Sequence, residues 1–520
     1  MSRDIDLTKT THEAKSEYQR VKAGMGMLGI PWPWAKLNEA TLGIQPEELI
    51  FLYARPKSLK DADDVHGTQH EGTEMLLIRS THRDTGVVSS ERLLATDGRL
   101  LPVRQWTHGP APSFESATYC FRWAALTARR TGPMPSVAVT TKSGLRIGVS
   151  EGHPLLTPSG YVPAGSLKIG GDVATAKRLP TWQPSSTMSP DRGYFLALLL
   201  GDGGLTKGVS FTKTDQELID AVRRGAELFG ASFHPRKNDP ITFDIVGVRG
   251  KRGSNPVLNW LRELGVAGKK SVEKFVPEAV LTASRDTVRA FLAGMLDTDG
   301  TAQARTHRVI SWSTGSERLA RELQHLLMRC GVRGIVSWHA TNFETVGWSV
   351  AVYSAEQHRL VCDLLTPFMH LSRKRNLLLD LAEQERLEKR NVDTIPRTDA
   401  LHSLILSEKA RLGAEWPRYN QTRSGYYDAS KLFRRSGRMG RHVLRVLASS
   451  WGSEALQKEA DTWIQWDRVM SVDAIGIQPC QTLTVEHDDG NPNFVCEGFV
   501  LGQSVRERTS VASLLRSRRE

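Results

Sequence analysis

Between residues 87 and 182 apolar and polar positions alternate, as in SVAVTTKSGLRIGVSEGHPLLTPSGYV, with glycine and proline between short runs. Such alternation predicts half-buried strands and an all-β unit. The stretch QPSSTMSPDR, 183–192, has no periodicity and reads as a linker. From 193 to 375 helical and strand patterns take turns, and 376–460 is helical, charged and basic, as in LFRRSGRMGRHVLRVL. From 461 to 503 strands return in RVMSVDAIGI, QTLTVEHDD and NFVCEGFVL. Residues 1–86 form a separate opening segment and 504–520 a short basic tail. Two β-rich stretches around an α/β middle predict one domain interrupted by an insert.

The middle contains an internal repeat. YFLALLLGDGG (194–204) returns as FLAGMLDTDGT (291–301). Downstream, FTKTDQELIDAVRRGAELFG (211–230) returns loosely as WSTGSERLARELQHLLMRCG (312–331), with Leu218 matching Leu319 and Gly230 matching Gly331. Each copy predicts an apolar, small-residue helix that ends on a carboxylate, Asp202 or Asp299. Gly203 and Gly300 follow, and they predict a left-handed turn that stops each helix. Two such helices packed side by side bring both carboxylates to one place, a ligand set suited to Mg²⁺ and to phosphodiester hydrolysis. For one motif alone, a buried helix with an acidic last turn is the plain alternative.

LAGMLDTDG (292–300) resembles the LAGLIDADG motif of homing endonucleases, and LALLLGDGG (196–204) is similar to its first-copy variant. The resemblance covers 193–375. It implies two pseudo-symmetric αββαββα halves whose curved sheets saddle the DNA major groove, with Asp202 and Asp299 binding the metal. It also implies a Lys-x-x-Pro element before the second motif. KFVP (274–277) stands there, which makes Lys274 the candidate catalytic lysine; an ordinary surface lysine is the alternative.

The flanks resemble the two ends of a HINT (hedgehog/intein) splicing domain. LLATDGRLLPV (93–103) is similar to its opening motif, LRIGVSEGHPLLTPSGYVPAGSLKIGGDV (145–173) to its second, Trp466 through Val485 to its penultimate and NFVCEGFVLGQS (493–504) to its last. The resemblance implies roles for Ser150 and His153 in polarising the first scissile amide and donating to its nitrogen. It implies that Ser504 accepts the acyl group and that Gln503, in place of the usual Asn, closes on its own carbonyl. Gly502 replaces the usual His, with His487 as a possible substitute. No cysteine opens the first motif, and the nearest hydroxyls, Thr85, Ser89 and Ser90, leave that junction open. Cys480 stands where some inteins carry an internal nucleophile, although the accompanying Trp and Thr positions are Leu155 and Leu501. A small buried hydrophobe is the alternative for Cys480.

IPWPWAKLNEATLGIQPEELIFLYARPKSLK (30–60) resembles the entry to the P-loop of DnaB-type replicative helicases, but Leu59-Lys60-Asp61 replaces its phosphate-binding end. Loss of the glycine and the hydroxyl argues against ATP hydrolysis there and for a host fragment.

Charge adds to this picture. Lys and Arg outnumber Asp and Glu by 69 to 57, which favours a polyanionic partner, here double-stranded DNA. The five cysteines form no CxxC pair, so a zinc site or disulfide framework is not expected. The apolar run Tyr194–Leu200 is far short of the roughly 20 residues that span a bilayer. The expectation is therefore a multidomain, cytoplasmic, monomeric protein with no membrane partner. It has a host fragment (1–86), split splicing halves (87–182 and 461–503), an endonuclease (193–375), a helical basic insert (376–460) and a tail (504–520). Its expected activities are protein splicing and Mg²⁺-dependent DNA cleavage that mobilises its own coding sequence. The alternative is a decayed intein that binds or cuts DNA without splicing.

Overall fold

A computed structural model of the chain describes residues 48–53, 76–81, 85–247, 255–303, 308–340, 346–383, 393–422, 425–428, 437–485, 492–503 and 508–510. The chain divides into two compact units, Met1–Thr85 with Ser504–Glu520, and Gly86–Gln503. In the first, antiparallel strands Glu48–Tyr53, Leu76–Thr81 and Arg508–Ser510 make one sheet, with Leu52 opposite Leu77 and Leu77 opposite Thr509. Segments from before and after the second unit thus share one ladder. The rest of the P-loop-like stretch lies outside the described residues.

The second unit is multidomain. Its β part is organised by strands Cys120–Thr141 and Ile464–Val485, of 22 residues each, paired antiparallel from Val469 opposite Thr141 to Val485 opposite Leu126. They belong to a ten-stranded sheet drawn from both β-rich stretches. Alternation buries Val137, Val139, Ile147 and Val149 in one core with Val173, Leu483, Phe494 and Phe499. The Asp97-Gly98 turn joins the hairpin strands Arg92–Leu94 and Leu100–Pro102, and Gly98 takes φ 94°, which favours glycine.

The insert packs around two helices, α1 (Pro190–Asp202) and α4 (Arg285–Asp299); α2 (Gln216–Glu227) and α3 (Pro256–Glu263) lie between them in sequence. Ser189 and Ser284 cap α1 and α4 by accepting from Arg192 N and Thr287 N. Small residues line the α1–α4 seam. A Cβ at Gly294 would lie 2.7 Å from Ala197 Cβ, and one at Gly201 would lie 2.2 Å from Thr298 Oγ1. Side chains there would push the helices apart, so the sequence of the seam sets how closely the two acidic ends approach.

After each seam helix the chain runs through two strands, a helix, two strands and a helix. In the second copy the helices are α5 (Glu317–Arg329) and α6 (Ala355–Leu365). Both four-stranded sheets have the same strand order. Leu218 and Leu319 are buried at matching places, and Gly230 and Gly331 both take positive φ after α2 and α5.

Three expectations change. Gly203 and Gly300 are extended, with φ −85° and −92°, rather than left-handed. Glycine is needed there for clearance, because a Cβ would fall 2.2 Å from Leu199 O or 2.5 Å from Leu296 O. The stretch 183–192 is no free linker: Met188 is buried and α1 starts at Pro190. The expected boundary at 375 falls inside helix α7 (Ser372–Glu383), whose Leu378 and Leu381 belong to the same core. Nothing stops the helix at 375, so packing carries it on.

The described residues between 395 and 460 form a further small core around Ile405, Leu444, Leu447 and Leu456. Among the described residues no helix is long and apolar enough to cross a membrane.

Two candidate active sites

Asp202 and Asp299 are the last residues of α1 and α4. Asp202 Oδ2 pairs with Lys213 Nζ at 2.6 Å. The Asp299 carboxyl is pushed up, first by burial and then by the neighbouring Asp202 carboxylate; Lys274, Lys213 and Lys374 oppose this. In a poorly solvated site the Asp202 charge thus favours a proton or a cation on Asp299. Lys274 Nζ donates to the carbonyls of Leu200 and Gly201, the latter at 3.3 Å, in the last turn of α1. Burial lowers its pKa, while Asp299 and Asp202 oppose that shift. The helix C-terminus favours a cation, and burial disfavours it.

The other helix end carries a second lysine that the sequence reading missed. Lys374 Nζ donates to the carbonyls of Leu296 (2.8 Å), Asp297 (2.9 Å), Thr298 (3.0 Å) and Gly300 (2.6 Å) at the end of α4. Burial lowers its pKa to about 8. The one sequence cue was spacing: Lys274 follows Asp202 by 72 residues and Lys374 follows Asp299 by 75. The Asp202 and Asp299 carboxylates, at the ends of α1 and α4, offer hard oxygen donors, and the Asp202 charge raises the Asp299 carboxyl, which fits a divalent cation. Asp202 and Asp299 would hold it.

The residues expected to act in splicing lie elsewhere. Gly86 N donates to Ser150 Oγ at 2.9 Å, and Ser150 N donates to Gly86 O at 2.8 Å. A Cβ on Gly86 would fall 2.8 Å from Cys480 Cβ, so Cys480 fills the space of a side chain at this position. Cys480 is buried, and its Sγ lies 3.5 Å from Ser136 Oγ, which donates to Met134 O at 2.9 Å. Burial pushes the thiol up and Ser136 opposes it. His153 is buried with neither ring nitrogen hydrogen-bonded, and burial pushes its pKa down to about 3, so the ring is neutral. The structure thus brings Ser150 and Cys480 to Gly86, whereas the amide nitrogen there bonds to Ser150 rather than to His153. Gln503 Oε1 accepts from Val485 N at 2.6 Å. Leu501 pairs with Leu155, and both are fully buried. Ser504 and His487 lie outside the described residues.

A family model described as a LAGLIDADG-like domain matches residues 286–363, which take in Asp299 and all of α5. Among curated proteins, the replicative DNA helicase DnaB of Rhodothermus marinus is 27% identical over 461 residues, 82% of this chain and 47% of that protein. Protein RecA of Mycobacterium tuberculosis is 28% identical over 214 residues, 39% of this chain and 27% of RecA. A DNA gyrase subunit of Mycolicibacterium flavescens is 24% identical over 394 residues, 74% of this chain and 68% of that protein. The chain spans about half the length of the DnaB relatives. Among solved structures, a DnaB intein from Synechocystis shows 14% identity and a TM-score of 0.17, covering 18% of this chain and 69% of that one. I-DmoI in complex with DNA and Mn shows 13% identity and a TM-score of 0.26, covering 34% of this chain and 96% of that one. The chain thus joins a stretch similar to LAGLIDADG-like domains with wider similarity to DnaB proteins.

In the basic stretch LFRRSGRMGRHVLRVL, the described arginines Arg438, Arg441 and Arg445 are each paired with acids of this chain. Arg441 is buried, pairs with Asp393 at 2.9 Å and donates to the carbonyls of Glu459, Ala460 and Ile464. Arg438 pairs with Asp172 and donates to Trp466 O, and Arg445 pairs with Glu356 and Asp461. Pairing of Thr394 with Gly440 brings Asp393 beside Arg441, which no local pattern shows. Arg434 and Arg435 lie outside the described residues.

Proposed function

We propose that this chain is an intein that splices itself out of a DnaB-type host and carries a double-motif endonuclease that cuts double-stranded DNA with Mg²⁺. The observation that carries the nuclease reading is the pair of carboxylates at the ends of two close-packed helices, each helix end held by its own lysine. On this reading the two αββαββα halves are pseudo-symmetric, and each serves one strand. Asp202 and Asp299 would hold the cation, which when bound would supply charge neutralisation at the scissile phosphate and an acidified water. Lys274 and Lys374 fix the helix ends and place positive charge beside the developing phosphorane. Matches to a helicase, a RecA protein and a gyrase subunit support a mobile insert, since similar sequence occurs in three differently named proteins.

For splicing, the junctions are placed at Thr85–Gly86 and Gln503–Ser504. Ser150 holds the Gly86 nitrogen, and Cys480 is the first nucleophile. Its sulfur bonds to the carbonyl carbon that precedes Gly86, the C–N bond breaks, and the thiol proton ends on the Gly86 amine. The neutral His153 ring supplies a donor in this pocket. The acyl group then passes from the Cys480 sulfur to the Ser504 hydroxyl and the thiol is regenerated; the Gln503 side-chain nitrogen attacks its own main-chain carbonyl, the bond to Ser504 breaks, and the freed Ser504 amine takes the acyl group from its own oxygen.

Two experiments test the halves of this reading. The purified chain is incubated with Mg²⁺ and a plasmid carrying the coding sequence for 1–85 joined to that for 504–520. Linear product that EDTA prevents is expected, and intact plasmid with both Mg²⁺ and Mn²⁺ would sink the nuclease reading. Mass spectrometry of the chain should show ligated flanks and free 86–503, both lost in Cys480→Ala. Splicing by that variant would rule Cys480 out.

A further inference from the structure

The two lysines at the paired helix ends are anchored in different ways. The loop before Lys374 is held from within the nuclease: Asp297 Oδ2, on α4, accepts from His370 N at 2.9 Å and from Leu371 N at 3.3 Å. The first helix has Leu200 where the second has Asp297, so no carboxylate of α1 can do the same. The loop of Lys274 is instead held from α5. Ser316 Oγ donates to Lys274 O at 2.6 Å, and Arg318 lies 4.3 Å over the Phe275 ring. Glu322 Oε2 accepts from Val276 N at 2.7 Å.

Glu322 is a carboxylate with a side chain only 1% exposed, and it needs compensation there. Arg318, at 2.9 Å, is largely exposed and is a weak counter-charge in water. The other partner is Arg92 at 3.0 Å, from the first hairpin of the β domain, six residues after Gly86. Glu497, before the last splicing strand, holds Arg92 in turn, accepting from its Nε at 2.9 Å and its backbone N at 3.1 Å.

We infer that Arg92 of the splicing domain is a positioning residue for DNA cleavage, acting through Glu322 and Val276 on Lys274 but not on Lys374. This rests on the nuclease reading above. Its consequence is asymmetric: one strand depends on the splicing domain and the other does not. Without Arg92, Glu322 is left buried with one exposed partner and shifts toward water, and the Val276 bond loosens. A displacement of about 1 Å at a catalytic group costs roughly 10²-fold in rate.

The test uses the full chain with a supercoiled plasmid carrying the joined coding sequence for 1–85 and 504–520. Arg92→Met should bind this DNA like the parent and cut one strand at the parental rate. The other strand should be cut roughly 10–100-fold more slowly, so that open circles accumulate. Arg92→Lys should restore part of the second cut. Arg92→Met with Glu322→Gln should restore more, because a neutral amide needs no counter-charge and still accepts from Val276 N. A purely structural role for Arg92 would slow both strands equally, and that result, or linear product at the parental rate, would overturn the inference. Hydrogen exchange gives a reading independent of activity. Amides of 274–276 should exchange faster in Arg92→Met while 369–374 stay unchanged, and equal protection of 274–276 in both proteins overturns the inference. A parent that cuts no DNA, yet shows the exchange difference, sinks the nuclease reading and leaves the coupling standing.

Discussion

The C-terminal junction gives a prediction in which the magnitudes compete. Gln503→Asn shortens the attacking side chain by one methylene, which leaves one fewer rotor to be frozen and favours closure by about 1 kcal/mol. The same change removes the bond from Val485 N to Gln503 Oε1, 2.6 Å long, which orients the amide and contributes about 1 kcal/mol. The two effects nearly cancel, so Gln503→Asn alone should change the rate of C-terminal cleavage by less than about tenfold. Proton-transfer help from a histidine at 502 outweighs both, at about 10²–10⁴-fold. Gly502→His meets an obstacle, because a Cβ there would fall 2.9 Å from the Tyr161 ring and 3.3 Å from Pro154 Cγ. Overpacking costs about 1–3 kcal/mol, enough to cancel much of that help unless Tyr161, on the rim of the sheet, turns outward. The expected order of rates is parent close to Gln503→Asn, then Gly502→His with Gln503→Asn, then the same pair with Tyr161→Ala fastest. Quenched time points on SDS gels follow precursor, branched species and ligated flanks. Splicing of the parent to completion within minutes, or any ligated product from Gln503→Ala, would refute this reasoning.

Other expectations concern the remaining charged groups. Asp299→Asn should abolish double-strand cleavage and leave DNA affinity within about threefold by gel shift, since phosphate contacts by Lys and Arg supply most of the binding. Normal cleavage would remove Asp299 from the site. Arg441→Ala strips one of the two counter-charges of Asp393, leaving Lys177, and removes the donor to three carbonyls; it should lower stability by about 3–5 kcal/mol in urea denaturation, with the salt slope of DNA binding unchanged, and a shallower slope would put Arg441 on the DNA. Glu91 is held protonated up to about 8, mainly by burial and then by Glu497. Its folded pKa exceeds the unfolded one, so the folded state binds more protons, and stability should fall as pH rises from about 4.5 to about 8. Glu91→Gln should flatten that decline in a thermal-melt series at pH 5, 7 and 9, and an unchanged slope would contradict the assignment.

Alternation in 136–149, the two Asp-Gly motifs and their spacing were enough to predict a split β domain around a repeated α/β insert, with Asp202 and Asp299 as a pair. These are local properties: periodicity decides which face is buried, and small residues along a helix decide how near another can come. Sequence could not show why Gly203 and Gly300 are glycine. That depends on Leu199 O and Leu296 O passing within 2.2 and 2.5 Å of an added Cβ, a clearance rather than a turn angle. Nor could it place Cys480 against Gly86, because that contact joins residues nearly four hundred apart through the register of one strand pairing. Lys374 was hidden for the same reason: its four carbonyl partners at the end of α4 exist only once α7 has folded back onto that helix. Arg441 shows the limit most plainly. Its sequence neighbours mark it as part of a basic surface, but Asp393 and three backbone carbonyls take it inside. Charge pattern belongs to the chain, whereas the counter-charge that decides whether an arginine faces solvent or the core is supplied by tertiary contact.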